Sequence, residues 1–191
     1  LGAIGAKVAK AANALGMTVY GYDPFISDAL KAELEGYVKI VGTLDELYAA
    51  ADYISLHVPC NDATRNTICA ESIARMKDGV RIVNIARGEL VNDDDILAAL
   101  ESGKVAAYVT DFPDGKMAAA DNVIAIPHLG ASTPESEDNC AIMAADQIAE
   151  YMLRGNIVNS VNLPCVTLEK TGAARAVVIR KADVSLGALL D

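Results

Sequence analysis

Two histidines and one arginine in this chain stand where chemistry can be done. His128 lies in Pro127-His128-Leu129-Gly130-Ala131-Ser132-Thr133, His57 lies in Ser55-Leu56-His57-Val58-Pro59, and no third histidine occurs in the 191 residues. Hydride loss from an alcohol requires a base to take the hydroxyl proton, and imidazole is the side chain that titrates near neutrality. His128, directly after the apolar run 123–126, is the candidate base. The side chain of His57, at the end of another such run, is read as structural. Arg87, in Asn84-Ile85-Ala86-Arg87-Gly88-Glu89-Leu90-Val91, is the candidate for holding a carboxylate, because a guanidinium offers two parallel donors. Surface ion pairing is the alternative for Arg87.

A second constellation suits a dinucleotide. Leu1-Gly2-Ala3-Ile4-Gly5 followed by helical spacing is what remains of a G-x-G-x-x-G turn without its first glycine and the strand before it. Glycine lets the backbone approach a pyrophosphate, and the helix amino end offers free N–H groups and a positive dipole. Asp23 follows Gly2 by about 20 residues, where an acidic side chain accepts from ribose hydroxyls. A carboxylate there repels a 2′-phosphate, so NAD is preferred to NADP. A glycine-rich helix start and an ordinary turn aspartate before Pro24 are the bland readings, and the pair is stronger than either part. A chain that opens inside this motif is expected to have been cut.

These residues need elements to position them. Apolar spacing and caps predict helices over 6–15, 28–34, 43–51, 72–76 and 93–101, with Gly16 and Gly103 as terminators and Thr43 with Glu46 as a capping box. Extended segments are predicted over 17–22, 38–41, 53–58, 80–85, 105–110 and 123–126. This βα alternation with apolar strands predicts an α/β fold, a doubly wound parallel sheet covered on both faces, with ligands at the carboxyl ends of the strands. A long helix opens at Pro134 under Ser132 or Thr133, carries Ile142, Ala145, Ala149 and Met152 as one stripe, and stops at Gly155-Asn156. A short extended piece over 157–163, a linker, a strand over 176–180 and the start of a helix over 186–190 complete the chain.

Composition removes other function classes. A net charge of −10, from 26 acidic and 16 basic residues, opposes nucleic-acid binding. Apolar stretches fall short of the roughly 20 residues a membrane helix needs. Cys60, Cys69, Cys140 and Cys165 match no zinc spacing, so no metal site is expected, and reduced thiols point to the cytoplasm.

Leu1-Gly-Ala-Ile-Gly5, Gly21-Tyr-Asp-Pro24, Leu56-His-Val-Pro59, Asn84-Ile-Ala-Arg-Gly-Glu-Leu-Val91 and Pro127-His-Leu-Gly-Ala-Ser-Thr133 occur in the order that resembles the D-isomer-specific 2-hydroxyacid dehydrogenases. Residues 159–164 and the tail look most like the phosphoglycerate dehydrogenases, whose regulatory part is an ACT domain. The resemblance implies a Rossmann NAD-binding domain over 1–133, a crossover helix with a remnant of the substrate domain over 134–164, and a linker with a partial ACT-like domain over 165–191. It implies His128 as the proton donor and acceptor, Arg87 on the substrate carboxylate, and NAD as the cofactor. The cofactor contacts it implies are Gly2, Ala3, Ile4 and Gly5 at the pyrophosphate, Asp23 at the ribose and Val58 near the adenine. Ile85, Ala86 and Arg87 lie behind the nicotinamide in that reading, Asp111 at its carboxamide, and His128 with Gly130 completes the wall.

The implied reaction is oxidation of 3-phosphoglycerate to 3-phosphohydroxypyruvate, the step into serine synthesis. Hydroxypyruvate or glyoxylate reduction, or a non-catalytic NAD-binding module, are the other readings. The family implies a homodimer or higher homo-oligomer, partly through 135–152, and the chain by itself is expected to be inactive. One departure concerns the carboxylate partner of the histidine, a glutamate in the family. Here Asp111-Phe112-Pro113-Asp114-Gly115-Lys116 has none, and Asp114 is the expected substitute. The tail also lacks the asparagine and proline-glycine of the ACT loop, which puts feedback by serine in question.

Overall fold

The computed structural model describes residues 1–169, 171, 172 and 178. Its backbone divides into two compact units, Leu1–His128 and Leu129–Asp191.

In the first unit helices and strands alternate: α1 (Ala3–Ala14), β1 (Tyr20–Gly21), α2 (Asp28–Glu33), β2 (Lys39–Ile40), α3 (Leu44–Ala50), β3 (Tyr53–Leu56), α4 (Ala70–Ala74), β4 (Val80–Asn84), α5 (Asp93–Glu101), β5 (Val105–Thr110), α6 (Gly115–Ala119) and β6 (Val123–Ala125). β1 pairs with β2, and a four-stranded sheet runs in the order β3-β4-β5-β6, with every pairing parallel. The local chemistry explains the boundaries. Ser27, Thr43 and Asn92 accept from Leu30, Glu46 and Asp95 N–H groups at 3.2, 3.2 and 3.1 Å, which satisfies donors the helices cannot. Gly16 and Gly103 adopt φ of +85° and +75°, the left-handed turn that ends α1 and α5. The expected capping box at α3 is displaced, because Glu46 accepts from Gly42 N–H at 3.0 Å instead of from Thr43.

Burial alternates along β3 and β4, so one face of the four-stranded sheet carries the core. Ile68, Ile82, Leu90 and Ile96 are wholly buried there with Tyr48 and Tyr108. Burying side chains of this size stabilises by about 1.5–3 kcal/mol each relative to exposure. On the opposite face the edge is less covered. Tyr53 is exposed, and the Arg81 guanidinium lies 5.2 Å from its ring centre, covering it with a charge.

The second unit contains α7 (Pro134–Arg154), capped by Thr133, whose hydroxyl accepts from Ser136 N–H at 3.2 Å. Gly155 ends it at φ +67°. Ile157 and Val166 then form an antiparallel bridge. The strand expected over 176–180 and the helix over 186–190 lie outside the described residues, Val178 excepted, and with them the ACT-like part. No described helix is long and apolar enough to cross a membrane, and no cluster of three metal-ligating side chains occurs among the described residues.

Candidate active site

Parallel pairing in register aligns the strand ends. Leu56 pairs with Asn84, Asn84 with Thr110 and Thr110 with Ala125, one row across the sheet. The next residues, His57, Ile85, Asp111 and Ile126, therefore leave the sheet along one edge, followed by Val58, Ala86 and Arg87, and His128. This is the carboxyl edge at which open α/β sheets hold ligands.

Asn84 shapes the Arg87 loop. It is fully buried, its amide donates to the Arg87 carbonyl at 2.9 Å, and its side-chain oxygen accepts from Ala86 N–H at 3.2 Å. The turn thus folds over its own strand end and leaves the Arg87 side chain exposed, with Nη1 donating to the Ala86 carbonyl at 2.6 Å. No carboxylate pairs with Arg87 among the described residues. Ile85, half-exposed, borders the same loop.

His128 meets Asp111, with Nδ1 2.8 Å from Oδ2. The imidazole is half-exposed, whereas the Asp111 side chain is only 3% exposed. Asp111 Oδ1 is buried and has no hydrogen-bond partner among the described residues. Native structures rarely leave such an atom unpaired, so it marks a place for a donor. The Phe112 ring backs the imidazole at 4.5 Å between centres, tilted by 46°. Phe112 itself rests against Gly88, where an added Cβ would come within 3.2 Å of the Phe112 Cβ.

The expected partner of His128 is corrected by this geometry. Asp114 is the N-cap of α6 and accepts from Met117 N–H at 2.7 Å, so its carboxylate is used in starting a helix. It makes no hydrogen bond to His128, and Asp111 occupies that position instead.

On the same edge, beside His57, Gly2 caps α1 without a side-chain bond, leaving helix-start N–H groups at Ala3, Ile4 and Gly5. Ile4 is exposed. Gly5 packs on His57, where a Cβ would sit 3.3 Å from the His57 Cβ, so glycine is the residue that lets α1 start so close to β3. The His57 Nε2 lies 2.9 Å from Ser55 Oγ, and burial pushes its pKa below the ordinary value, helped by the Leu1 charge. Val58 follows it, partly exposed. Asp23 accepts from Phe25 N–H and from the Leu1 amino group, both at 2.9 Å. Gly130 belongs to the second unit.

Sequence reasoning overlooked Asn84 as an anchor. The signal was present: period two from Val80 and Ile82 puts residue 84 on the buried face, and a buried amide must be bonded.

The family described as D-isomer specific 2-hydroxyacid dehydrogenase, NAD binding domain, matches residues 1–130. The chain is 42% identical over 179 residues to a D-3-phosphoglycerate dehydrogenase of Methanocaldococcus jannaschii, covering 90% of this chain and 34% of that protein. It is also 42% identical over 156 residues to a hydroxypyruvate reductase of Thermotoga maritima, covering 77% of this chain and 49% of that protein. The solved glyoxylate reductase of Paecilomyes thermophila superposes with a TM-score of 0.73 at 32% identity, covering 83% of this chain and 49% of that one. The D-lactate dehydrogenase of Aquifex aeolicus, complexed with NAD and lactic acid, gives 0.67 at 30% identity, covering 81% and 51%. The chain thus spans about a third to a half of the length of these relatives.

Proposed function

We propose, from the premise that this chain belongs to the D-isomer-specific 2-hydroxyacid dehydrogenases and carries their NAD-binding domain, that the protein it forms part of oxidises 3-phosphoglycerate to 3-phosphohydroxypyruvate. The carrying observation is the aligned strand ends, which put Arg87 and the His128–Asp111 pair on one edge of a parallel sheet. The residues present fit NAD. The buried, unpartnered Asp111 Oδ1 suits an amide donor, and the side-chain-free start of α1 at Gly2 and Gly5 suits a pyrophosphate.

NAD, when bound, supplies the hydride acceptor. Arg87 holds the substrate carboxylate through its two donors, which fixes C2 relative to the base. His128 Nε2 takes the hydroxyl proton as the C2 hydride leaves, and returns it in the reverse direction. When bound, NAD would lie with its nicotinamide beside Ile85 and Ala86, its adenine near Val58, its pyrophosphate at the Ala3 and Ile4 N–H groups and its ribose at Asp23. Self-association through α7 and a cytoplasmic location belong to the same reading.

Several curated relatives carry the phosphoglycerate dehydrogenase name, which supports this substrate. Reduction of hydroxypyruvate or glyoxylate is the second reading, favoured by the Thermotoga maritima relative and the Paecilomyes structure. The test is kcat/KM of the protein carrying this chain, for 3-phosphoglycerate with NAD and for hydroxypyruvate and glyoxylate with NADH. A higher value for 3-phosphoglycerate supports the proposal. A higher value for the reductase substrates selects the second reading, and no turnover of any of them with intact NADH binding leaves a binding module.

A further inference from the structure

We propose that Asp111 is the positioning residue for His128 and fixes which ring nitrogen is bare, while its second oxygen is kept for a donor on the nicotinamide side. The family resemblance assigns the histidine a glutamate partner, and the loop after β5 contains none. Asp114 is held by Met117 N–H at the start of α6. Asp111 Oδ2, 2.8 Å from His128 Nδ1, takes the duty instead.

The consequence follows from donor and acceptor roles. A carboxylate accepts and does not donate, so Nδ1 carries the hydrogen in the neutral ring. Nε2 then keeps its lone pair, the atom that a substrate hydroxyl proton must reach. Orientation is fixed as well as tautomer. Phe112 packs at a tilt against one side of the ring, Gly88 admits Phe112, and Asp111 is anchored at the end of β5 next to the buried Thr110. Half-exposed His128 is therefore held from behind by a carboxylate that water does not reach. Asp111 Oδ1, equally buried and without a partner among the described residues, divides the carboxylate between two tasks. One oxygen orients the base, and the other accepts an N–H from the cofactor carboxamide. This division rests on the NAD reading above; the orientation of His128 does not.

The chain's two histidines make the test direct, because ring nitrogen resonances of a 15N-labelled sample have only two sources. At a pH where both rings are neutral, His128 is expected as the Nδ1–H form. In Asp111→Asn and Asp111→Ala it is expected to move toward the Nε2–H form that free imidazole prefers. The His57 signals report folding, because that ring packs against Gly5. An Nε2–H form in the parent chain, or the same tautomer retained in both variants with His57 unchanged, overturns the proposal. Should both variants unfold, the parent spectrum alone decides.

Titration with NADH supplies the second readout. Asp111→Ala is expected to weaken binding by about tenfold, the size of one lost hydrogen bond to a charged acceptor. Unchanged affinity removes the second task of Asp111. Absence of NADH binding by the parent chain would defeat the NAD reading and leave the tautomer result to stand separately.

Discussion

Residues from Tyr48 to Met117 supply the main buried cluster of the first unit, whereas residues 1–41 add Ala6, Ala9 and Leu34 to its buried hydrophobics. The four-stranded sheet carries Arg87, Asp111 and His128 on its edge, and the shorter β1–β2 pair carries Asp23. Long-range packing fixes the acid–base residues. The dinucleotide turn is tied down by Phe25 N–H on Asp23 and by the contact of Gly5 with His57. Proton transfer needs a base set to within tenths of an ångström, while a pyrophosphate turn is ordered further by the ligand it holds.

The largest effect expected is on chemistry. His128→Gln should lower kcat of the protein carrying this chain by about 10²- to 10⁴-fold, with NADH affinity nearly unchanged. A parallel loss of NADH affinity would mean that the two regions are not separable.

Packing gives the next contrast. Ile82→Ala should cost stability near the upper end of the range of about 2–5 kcal/mol for such truncations, and Leu34→Ala near the lower end, because Leu34 lies outside the main cluster and its surroundings can collapse. Equal shifts in urea denaturation would erase the distinction.

Smaller still is cofactor choice. Asp23→Ala should weaken NADH binding by about tenfold and NADPH binding far less, since the carboxylate both accepts from the ribose and repels a phosphate. Equal weakening would take selection away from Asp23.

Much of the scaffold was legible because its ends are chemically marked. Asn92 and Gly103 bracket α5 and the following turn, and Thr133, Pro134 and Gly155 fix α7, so these helices fall on their expected bounds. The segments 17–22 and 38–41 are β-rich in sequence, but β1 and β2 each pair over two residues. Pairing is a property of neighbours, which composition does not contain. α6 lies outside the predicted helices, since Pro113, Asp114 and Gly115 are turn formers, yet the same Asp114 starts it as a cap. That ambiguity also misdirected the partner of His128. Asp111 and Asp114 are equivalent in type and close in sequence, and only the register of β5 beside β6 decides which faces the histidine loop.

The order β3-β4-β5-β6 has a consequence for how the chain reaches this state. Every strand of that sheet pairs with its neighbours in sequence, so no strand waits for a distant segment to be inserted between them. Each parallel pairing still needs a crossover, so its entropic cost is that of closing one βα unit and no more. Asp111 follows β5 and His128 follows β6, so their 2.8 Å contact depends on the register of that single pairing.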